Sequence, residues 1–313
     1  VRSGARAGLA LRGQWERGTG VLTGIALAAT DGAAAFLDPA ALTPADESAL
    51  AGWLADPAAT KAVHDLKGPL LALRQHNWTI DGVTSDTQLA GYLLRPDQRS
   101  YDLADLALRY LRRELRNNDA ATESGQLTLD GGVEESDEAL AQVETLRAAA
   151  VRDLADAFDR DLDRDGAVGL LRELELPLTY VLADMEATGI AVDTDALLAL
   201  QAELAAGVKD VEQDAHRVAG REFNLGSPKQ LQEILFDQFA LPKTKRIKTG
   251  YTTDADSLAD LYVKTEHPIL ELLLRHREVA RLKTVVDGLL PLVDDQGRIH
   301  TTFNQTVAAT GRL

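Results

Sequence analysis

The chain has 313 residues, 45% of them hydrophobic, no cysteine, and 49 Asp+Glu against 33 Lys+Arg for a formal net charge of −16. That length allows one to three domains with sizeable cores. Without cysteine, disulfides, thiolate metal sites and thiol catalysis are excluded and a cytosolic protein is the plain reading, while no run of about 18 apolar residues offers a transmembrane helix.

The charge is unevenly spread. Residues 1–238 carry 22 Lys+Arg against 40 Asp+Glu, whereas residues 239–313 carry 11 against 9. A uniformly cationic nucleic-acid binder is excluded, but a local basic stripe can still hold phosphate, because attraction acts within a Debye length of about 8 Å. The amino end, VRSGARAGLALRG, has neither an initiator Met nor the apolar core of a signal peptide, and both ends read as cuts.

In chain order, AGLALRG, LTGIALAAT and GAAAFLD within residues 7–38 are short apolar runs that predict strands, with turns at Gly18–Gly20 and Asp31–Gly32. Thr43, Pro44 and Asp46 predict a capped helix running through Leu54. KAVHD (61–65), VTSD (83–86) and helices from Pro69, near 87–94 and over 102–115 then alternate, as in an α/β domain with a mixed sheet. Residues 117–138 are polar, acidic and glycine-containing and predict an exposed loop. Leu140, Val143, Leu146, Ala150, Leu154 and Phe158 follow at helical spacing and predict a helix over 139–160. Asp161, Asp163, Asp165 and Gly166 copy the first half of a calcium-binding loop, but Arg172 stands where the bidentate acid belongs. A solvated acidic connector without a metal is expected there.

From Leu170 the pattern is strongly helical. Leu174, Leu176, Leu178, Val181, Leu182 and Met185 predict one apolar face, Gly189 a helix end, Ile190 and Val192 an extended piece, and Asp193 the start of a helix to about Ala219. Ser227, Pro228 and Gln230 predict a capped helix start whose free N–H groups, with Lys229, can hold a backbone phosphate. Lys243, Lys245, Arg246 and Lys248 lie in a stretch, 241–253, that has no acid. A helix over 267–290 carries Arg275, His276, Arg277, Arg281 and Lys283 with only Glu278 among them; Arg277 and Arg281 share one face. At the end, Ile299, Thr301 and Phe303 alternate with His300, Thr302 and Asn304 and predict a strand that breaks at Thr310–Gly311. Its polar set suits a surface that meets phosphates and base edges.

The final run TTFNQTVAATGRL, together with ELPLTYVLADMEATGIAVD, REFNLGSPKQLQEILF and HREVARLKTVVDGLLPLV upstream, closely resembles the part of family A DNA polymerases that leads from thumb into palm. The resemblance implies an α/β ribonuclease-H-like domain over 1–165, a mainly α-helical thumb over 166–296 and the start of an α+β palm over 297–313. In the family, four carboxylates of the first domain hold two metal ions for proofreading hydrolysis. Those positions fall on Leu9, Leu11, Pro69 and Ala150 here, which have no metal-binding group, although Asp65 and Asp86 remain nearby. An inactive 3′–5′ exonuclease-like domain is implied.

The resemblance further implies part of a DNA-directed DNA polymerase, a nucleotidyltransferase of replication and repair that adds deoxynucleotides to a primer 3′ end. The family's catalytic palm and fingers motifs lie beyond TGRL. This stretch is therefore expected to have no catalytic residue and no cofactor, Mg²⁺ belonging to the palm, and to grip double-stranded primer-template DNA. The implied DNA contacts are Ser227, Lys229, Lys243, Lys245, Arg246, Lys248, Arg277, Arg281, Lys283, Asn304, Gln305 and Arg312, the last beside the minor groove near the primer end. A monomeric, cytoplasmic and nucleoid-associated protein without a membrane partner is expected. The alternative is a non-catalytic DNA-binding or protein-adapter module with a dead exonuclease-like fold.

Overall fold

The computed structural model describes residues 5–115, 137–248 and 250–313. They form two compact units, Val1–Gly189 with His300–Leu313, and Ile190–Ile299.

The first unit is built on a five-stranded sheet. β1 (Ala7–Glu16) and β2 (Thr19–Ala28) pair as a hairpin. Its turn is Arg17 and Gly18, both at positive φ, the geometry that matches the twist of the flanking strands. The turn expected at Gly18–Gly20 thus lies one residue earlier, and Thr19 and Gly20 already pair with Glu16 and Trp15. β3 (Ala34–Leu37) adds to β2 antiparallel, while β4 (Lys61–Val63) and β5 (Val83–Asp86) add parallel beyond β1, giving the order β3-β2-β1-β4-β5. Parallel neighbours need crossovers. α1 (Pro44–Ala55) and α2 (Lys67–Gln75) provide them, followed by α3 (Thr87–Leu94), α4 (Leu103–Leu106) and α5 (Asp137–Asp165).

Side-chain alternation along β1 divides the core. Leu9 packs with Ile25, Leu54, Val63, Leu66, Leu70 and Leu73 on one face. Ala10, Ala26 and Ala28 meet Ala148 of α5 on the other. These small residues let the helix lie close to the sheet: a Cβ on Gly8 would stand 2.0 Å from the Ala148 carbonyl oxygen. Further along α5, Val151, Leu154, Phe158 and Leu162 pack with Leu89, Tyr92, Leu103 and Leu106, each fully buried side chain contributing about 1.5–3 kcal/mol. Lys61 is wholly buried as well. Its ammonium replaces hydration by donating to the carbonyls of Asp56 (3.1 Å), Ala59 (2.6 Å) and Asp81 (2.9 Å), and it lies 4.7 Å from the Trp53 ring centroid.

Several elements differ from expectation. α5 begins at Asp137 and runs through Asp165, so Asp161, Asp163 and Asp165 sit on a helix rather than in an open connector, with Arg164 paired to Asp161 at 3.0 Å and Asp165 at 3.2 Å. Its buried stripe is Ala148, Ala150, Val151, Leu154, Ala155, Phe158 and Leu162, and Leu146 is exposed, because the alanine-lined sheet accepts small side chains. Of the expected loop 117–138, residues 117–136 lie outside the described residues. The helix expected over 102–115 is α4 plus a π-helical turn, Ala107–Leu111, stopped by Arg112 in the left-handed region. α6 (Leu176–Thr188) ends at Gly189 as expected, but it buries Leu176, Thr179, Leu182, Ala183 and Glu186 while Val181 and Met185 face solvent.

In the second unit, β6 (Ile190–Ala191) pairs antiparallel with β9 (Arg298–Ile299). Asp193 caps α7 (Thr194–Ala219) by accepting from the Ala196 N–H at 2.9 Å, and Gly220 ends it in the left-handed region. α7 runs antiparallel to α10 (Pro268–Leu289), the pairs Gln201–Asp287 (2.6 Å) and Glu212–His276 (3.3 Å) setting their register. At one end of this pair, α8 (Pro228–Gln232), α9 (Ala255–Thr265) and a hairpin of β7 (Arg246–Ile247) and β8 (Gly250–Tyr251) close over Phe223, Leu231, Ile234, Leu258, Ile269 and Leu273.

The strand expected at the carboxyl end is confined to Arg298–Ile299. Residues 300–313 have no ladder partner among the described residues and are held by side chains of the first unit instead.

Candidate nucleic-acid interface

The hairpin β7–β8 gathers four of the predicted cations. Arg246 pairs with Tyr251, and the Thr252 N–H donates to the Lys245 carbonyl at 2.9 Å, so Lys243 to Lys248 run along the hairpin's first arm and into its turn. Two contacts fix it to the body. Gln232 Oε1 accepts from the Tyr251 N–H at 2.9 Å, and the Tyr251 ring stacks edge-on against Phe236 with centroids 5.4 Å apart. Lys243 lies 4.9 Å from the Tyr251 ring centroid. Lys243, Lys245, Arg246 and Lys248 are all exposed, and among the described residues none has an acidic side chain within ion-pair distance. Like charges held apart from acids make a surface whose natural counterion is external.

On α10, Arg281 is exposed, and Arg277 is half-buried, its guanidinium pKa drawn down by burial while Asp254 partly offsets this. Lys283 is engaged: its ammonium donates to Asp287 at 2.6 Å one turn on, and that contact with the Gln201 amide holds the Asp287 carboxyl below the usual range. At the start of α8, Ser227 Oγ accepts from the Gln230 N–H at 3.5 Å. Gln230 reaches back to the Asn224 N–H at 2.7 Å instead of to Ser227. Lys229 projects from the first turn, exposed.

The carboxyl-terminal residues occupy a different place, on the first unit. Gln305 is nearly enclosed. Its amide donates to Glu175 Oε2 at 2.8 Å and accepts from the Thr179 hydroxyl at 3.0 Å, so its polar atoms are used inside the protein. Gln305, expected as a DNA contact, acts in this structure as an internal tether. Asn304 and Arg312 remain exposed. Glu186 accepts from the Phe303 N–H at 2.7 Å while pairing with Lys67, and its carbonyl meets His300 Nδ1 at 2.6 Å. Asn304 lines a pocket of about 210 Å³ with Trp15, Asp65, Lys67, Glu186 and Gln305. Sequence reasoning missed Glu186, Thr179 and Tyr92, because a buried acid, threonine or tyrosine on a helix carries no periodic signal.

The four positions where the family resemblance places carboxylates are apolar. Leu9 belongs to the core on the α2 side of the sheet and Ala150 to the core on α5. Pro69 is buried in the first turn of α2, and Leu11 is half-buried beside Arg12, His64, Glu144 and Arg147 at a pocket of about 130 Å³. Asp86 is wholly buried; its carboxylate caps α3 and accepts from the N–H groups of Asp65 (3.1 Å), Leu66 (2.8 Å) and Gln88 (2.9 Å). Burial outweighs these bonds and lifts its pKa to about 6. Asp65 is likewise raised by burial, with Lys67 opposing. Among the described residues no group of three or more His, Cys, Asp or Glu side chains is arranged to hold a metal ion.

Sheet order and helical packing define a ribonuclease-H-like α/β domain joined to a mainly helical unit. Residues 19–121 match the family model for the DNA polymerase I ribonuclease H-like domain, and residues 194–313 match that for DNA polymerase family A. Over 310 residues the chain is 54% identical to DNA polymerase I of Mycobacterium tuberculosis, covering 99% of this chain and 34% of that protein. DNA polymerase I of Geobacillus stearothermophilus is 39% identical over 295 residues, 93% of this chain and 32% of its own length. The solved polymerase domain of Pol1 from Mycobacterium smegmatis, in complex with DNA primer-template and dNTP, superposes with a TM-score of 0.84 at 50% identity, covering 98% of this chain and 50% of that one. The chain belongs to DNA polymerase family A. It spans about a third of the length of the curated relatives it matches.

Proposed function

We propose that this chain is the exonuclease-like and thumb part of a DNA-directed DNA polymerase, with the functional boundaries at 165 and 296, and that its own task is to grip primer-template duplex. The carrying observation is the basic hairpin: four exposed cations that have no acidic partner among the described residues, on an anchored β-turn. Arg277, Arg281 and, once released from Asp287, Lys283 add phosphate contacts along α10. Ser227 and Lys229 offer a weaker one, since the serine hydroxyl already caps its helix. Asn304 and Arg312, on the segment bound to the first unit, supply groove contacts.

Such binding reads charge and shape rather than sequence, with an affinity of about 10⁻⁴ to 10⁻⁶ M at physiological salt. Addition of deoxynucleotides to a primer is the activity of the polymerase as a whole. Mg²⁺, expected of the palm, meets no fitting donor set among the described residues. The nuclease-like domain is read as catalytically silent, since Leu9, Leu11, Pro69 and Ala150 present only hydrocarbon. The protein is read as monomeric and cytoplasmic; among the described residues no helix is long and apolar enough to cross a membrane. Titrating labelled duplex by fluorescence anisotropy at three salt concentrations tests the grip. Replacing Lys243, Lys245, Arg246 and Lys248 with Ala is expected to reduce the log-log salt slope by up to about 4; an unchanged slope defeats the reading.

A further inference from the structure

Residues 300–313 lack regular secondary structure, yet they have a defined course along the first unit. Four side chains tether them at three points. Glu186 holds Phe303, the Glu175–Thr179 turn holds Gln305, and Tyr92 holds the stretch from Ala308 to Gly311. The third tether differs from the others in making a closed ring. The Tyr92 hydroxyl donates to the Ala308 carbonyl at 2.7 Å and accepts from the Gly311 N–H at 3.1 Å, while that N–H also reaches the Ala308 carbonyl at 3.1 Å. One oxygen therefore locks both ends of the turn, and the turn requires Gly311 at φ 73°, a conformation other residues rarely adopt. Arg312 follows directly, exposed.

Tyr92 itself cannot wander. It is 4% exposed in the middle of α3, edge-on to Tyr101 at 5.7 Å, and it packs in the core with Leu106 and Leu154. Its hydroxyl is fixed by the nuclease-like sheet and helices, so the direction in which the chain leaves Gly311 is fixed by them as well.

We propose that Tyr92 is a positioning residue for Arg312: the nuclease-like unit, without hydrolytic chemistry of its own, is the rigid support that aims the DNA-contacting end of this segment. The inference rests on the reading of Arg312 as a DNA contact. Fixing the backbone that carries a long cationic side chain removes, in advance, conformational freedom that binding would otherwise have to remove. With the turn fixed, only side-chain freedom at Arg312 is lost on binding; with the turn loose, backbone freedom would be lost as well.

The test is primer extension by the full-length polymerase that contains this chain, comparing wild type, Tyr92→Phe, Arg312→Ala and the double variant at varied primer-template concentration. Tyr92→Phe removes one oxygen and keeps the ring packing. It is expected to lower kcat/KM for primer-template by about 5-fold, the weight of a typical hydrogen bond, and to have no further effect when Arg312 is already Ala. Equal losses from Tyr92→Phe in both backgrounds would mean a general packing role and overturn the inference. If Arg312→Ala lowers extension while Tyr92→Phe alone does nothing, the inference falls and the DNA contact stands. If Arg312→Ala changes nothing, the reading of this segment as a DNA contact falls, and the inference with it.

Discussion

The ammonium of Lys67 and the carboxylate of Glu186 meet across 119 positions of the chain, with side chains only 12% and 4% exposed. The pair joins α2 to α6, and because Glu186 also accepts from the Phe303 N–H, it ties the carboxyl-terminal segment to the same junction.

Breaking one partner of an enclosed pair leaves the other charge buried and unpaired, which costs about 3–5 kcal/mol. Glu186→Ala is expected at the upper part of that range, since it also orphans the Phe303 N–H. Lys67→Met in combination with Glu186→Gln is expected to recover most of the loss, because no net charge is then buried. Urea unfolding of wild type, Lys67→Met, Glu186→Gln and the double variant measures this. Additive single-variant losses would show that the two groups do not interact.

Half-buried His64 and wholly buried Asp86, both in the first unit, are shifted in opposite senses. Burial pushes His64 down to about 4, with Asp102 opposing and Arg147 assisting, and pushes Asp86 up to about 6. Because His64 takes up its proton more readily when unfolded, its stabilising effect is complete above pH 6.5 and is lost as pH falls towards 4. Asp86 holds its proton more tightly when folded; its effect is complete below 3.8 and is lost as pH rises through 6. Each contributes about 1.4 kcal/mol per pH unit, with opposite sign, so between pH 4 and 6 they cancel. His64→Gln is expected to leave stability falling with rising pH, and Asp86→Asn to leave it rising. Denaturant midpoints at four pH values decide, and matching slopes in the two variants would refute the assignment.

Lys283 is held by Asp287, whereas Arg281 has no acidic partner among the described residues. Arg281→Ala is therefore expected to reduce the salt slope of duplex binding by about 1, and Lys283→Ala by less. Asp287→Asn, which frees the ammonium, is expected to tighten binding at low salt. An anisotropy titration in which Asp287→Asn weakens binding would show that Lys283 makes no phosphate contact.

Gly8 admits α5 to the sheet. A methyl group there would collide with the Ala148 carbonyl and lie 2.7 Å from Arg152 Cβ, atoms that a helix backbone cannot easily withdraw. Gly8→Ala is expected to destabilise by about 1–3 kcal/mol, the usual cost of overpacking. Gly52, on an open helix face where an added methyl would meet nothing within 4 Å, gives the control: Gly52→Ala is expected to stabilise by about 0.5–1 kcal/mol. Thermal midpoints that move together in both variants would contradict the close approach.

The local decisions of this fold were legible in the sequence. Thr43 before Pro44, Asp193 before α7 and Ser227 before Pro228 each cap the helix they precede, because capping depends on a few adjacent residues. The hairpin cations were legible for the same reason: a run of cations without an acid between them is a property of the segment alone. Family motifs extended that reading to the ribonuclease-H-like domain and the helical unit, since their spacing survives in the chain.

Tertiary contacts decided the rest. The alternation of residues 299–304 favoured a strand, but a strand needs a neighbour, and Glu186, Thr179 and Tyr92 offer hydrogen bonds at points that suit an irregular course. The same contacts account for Thr179 and Glu186 on the buried face of α6: that face holds a segment distant in sequence, which helical periodicity cannot reveal. The tether of Gln305 to Glu175 and Thr179 was not legible, because these residues lie 130 and 126 positions away in sequence and beside it in space. Sequence determines which groups are available for bonding; only the folded chain determines which of them meet, because that depends on packing between residues far apart along it.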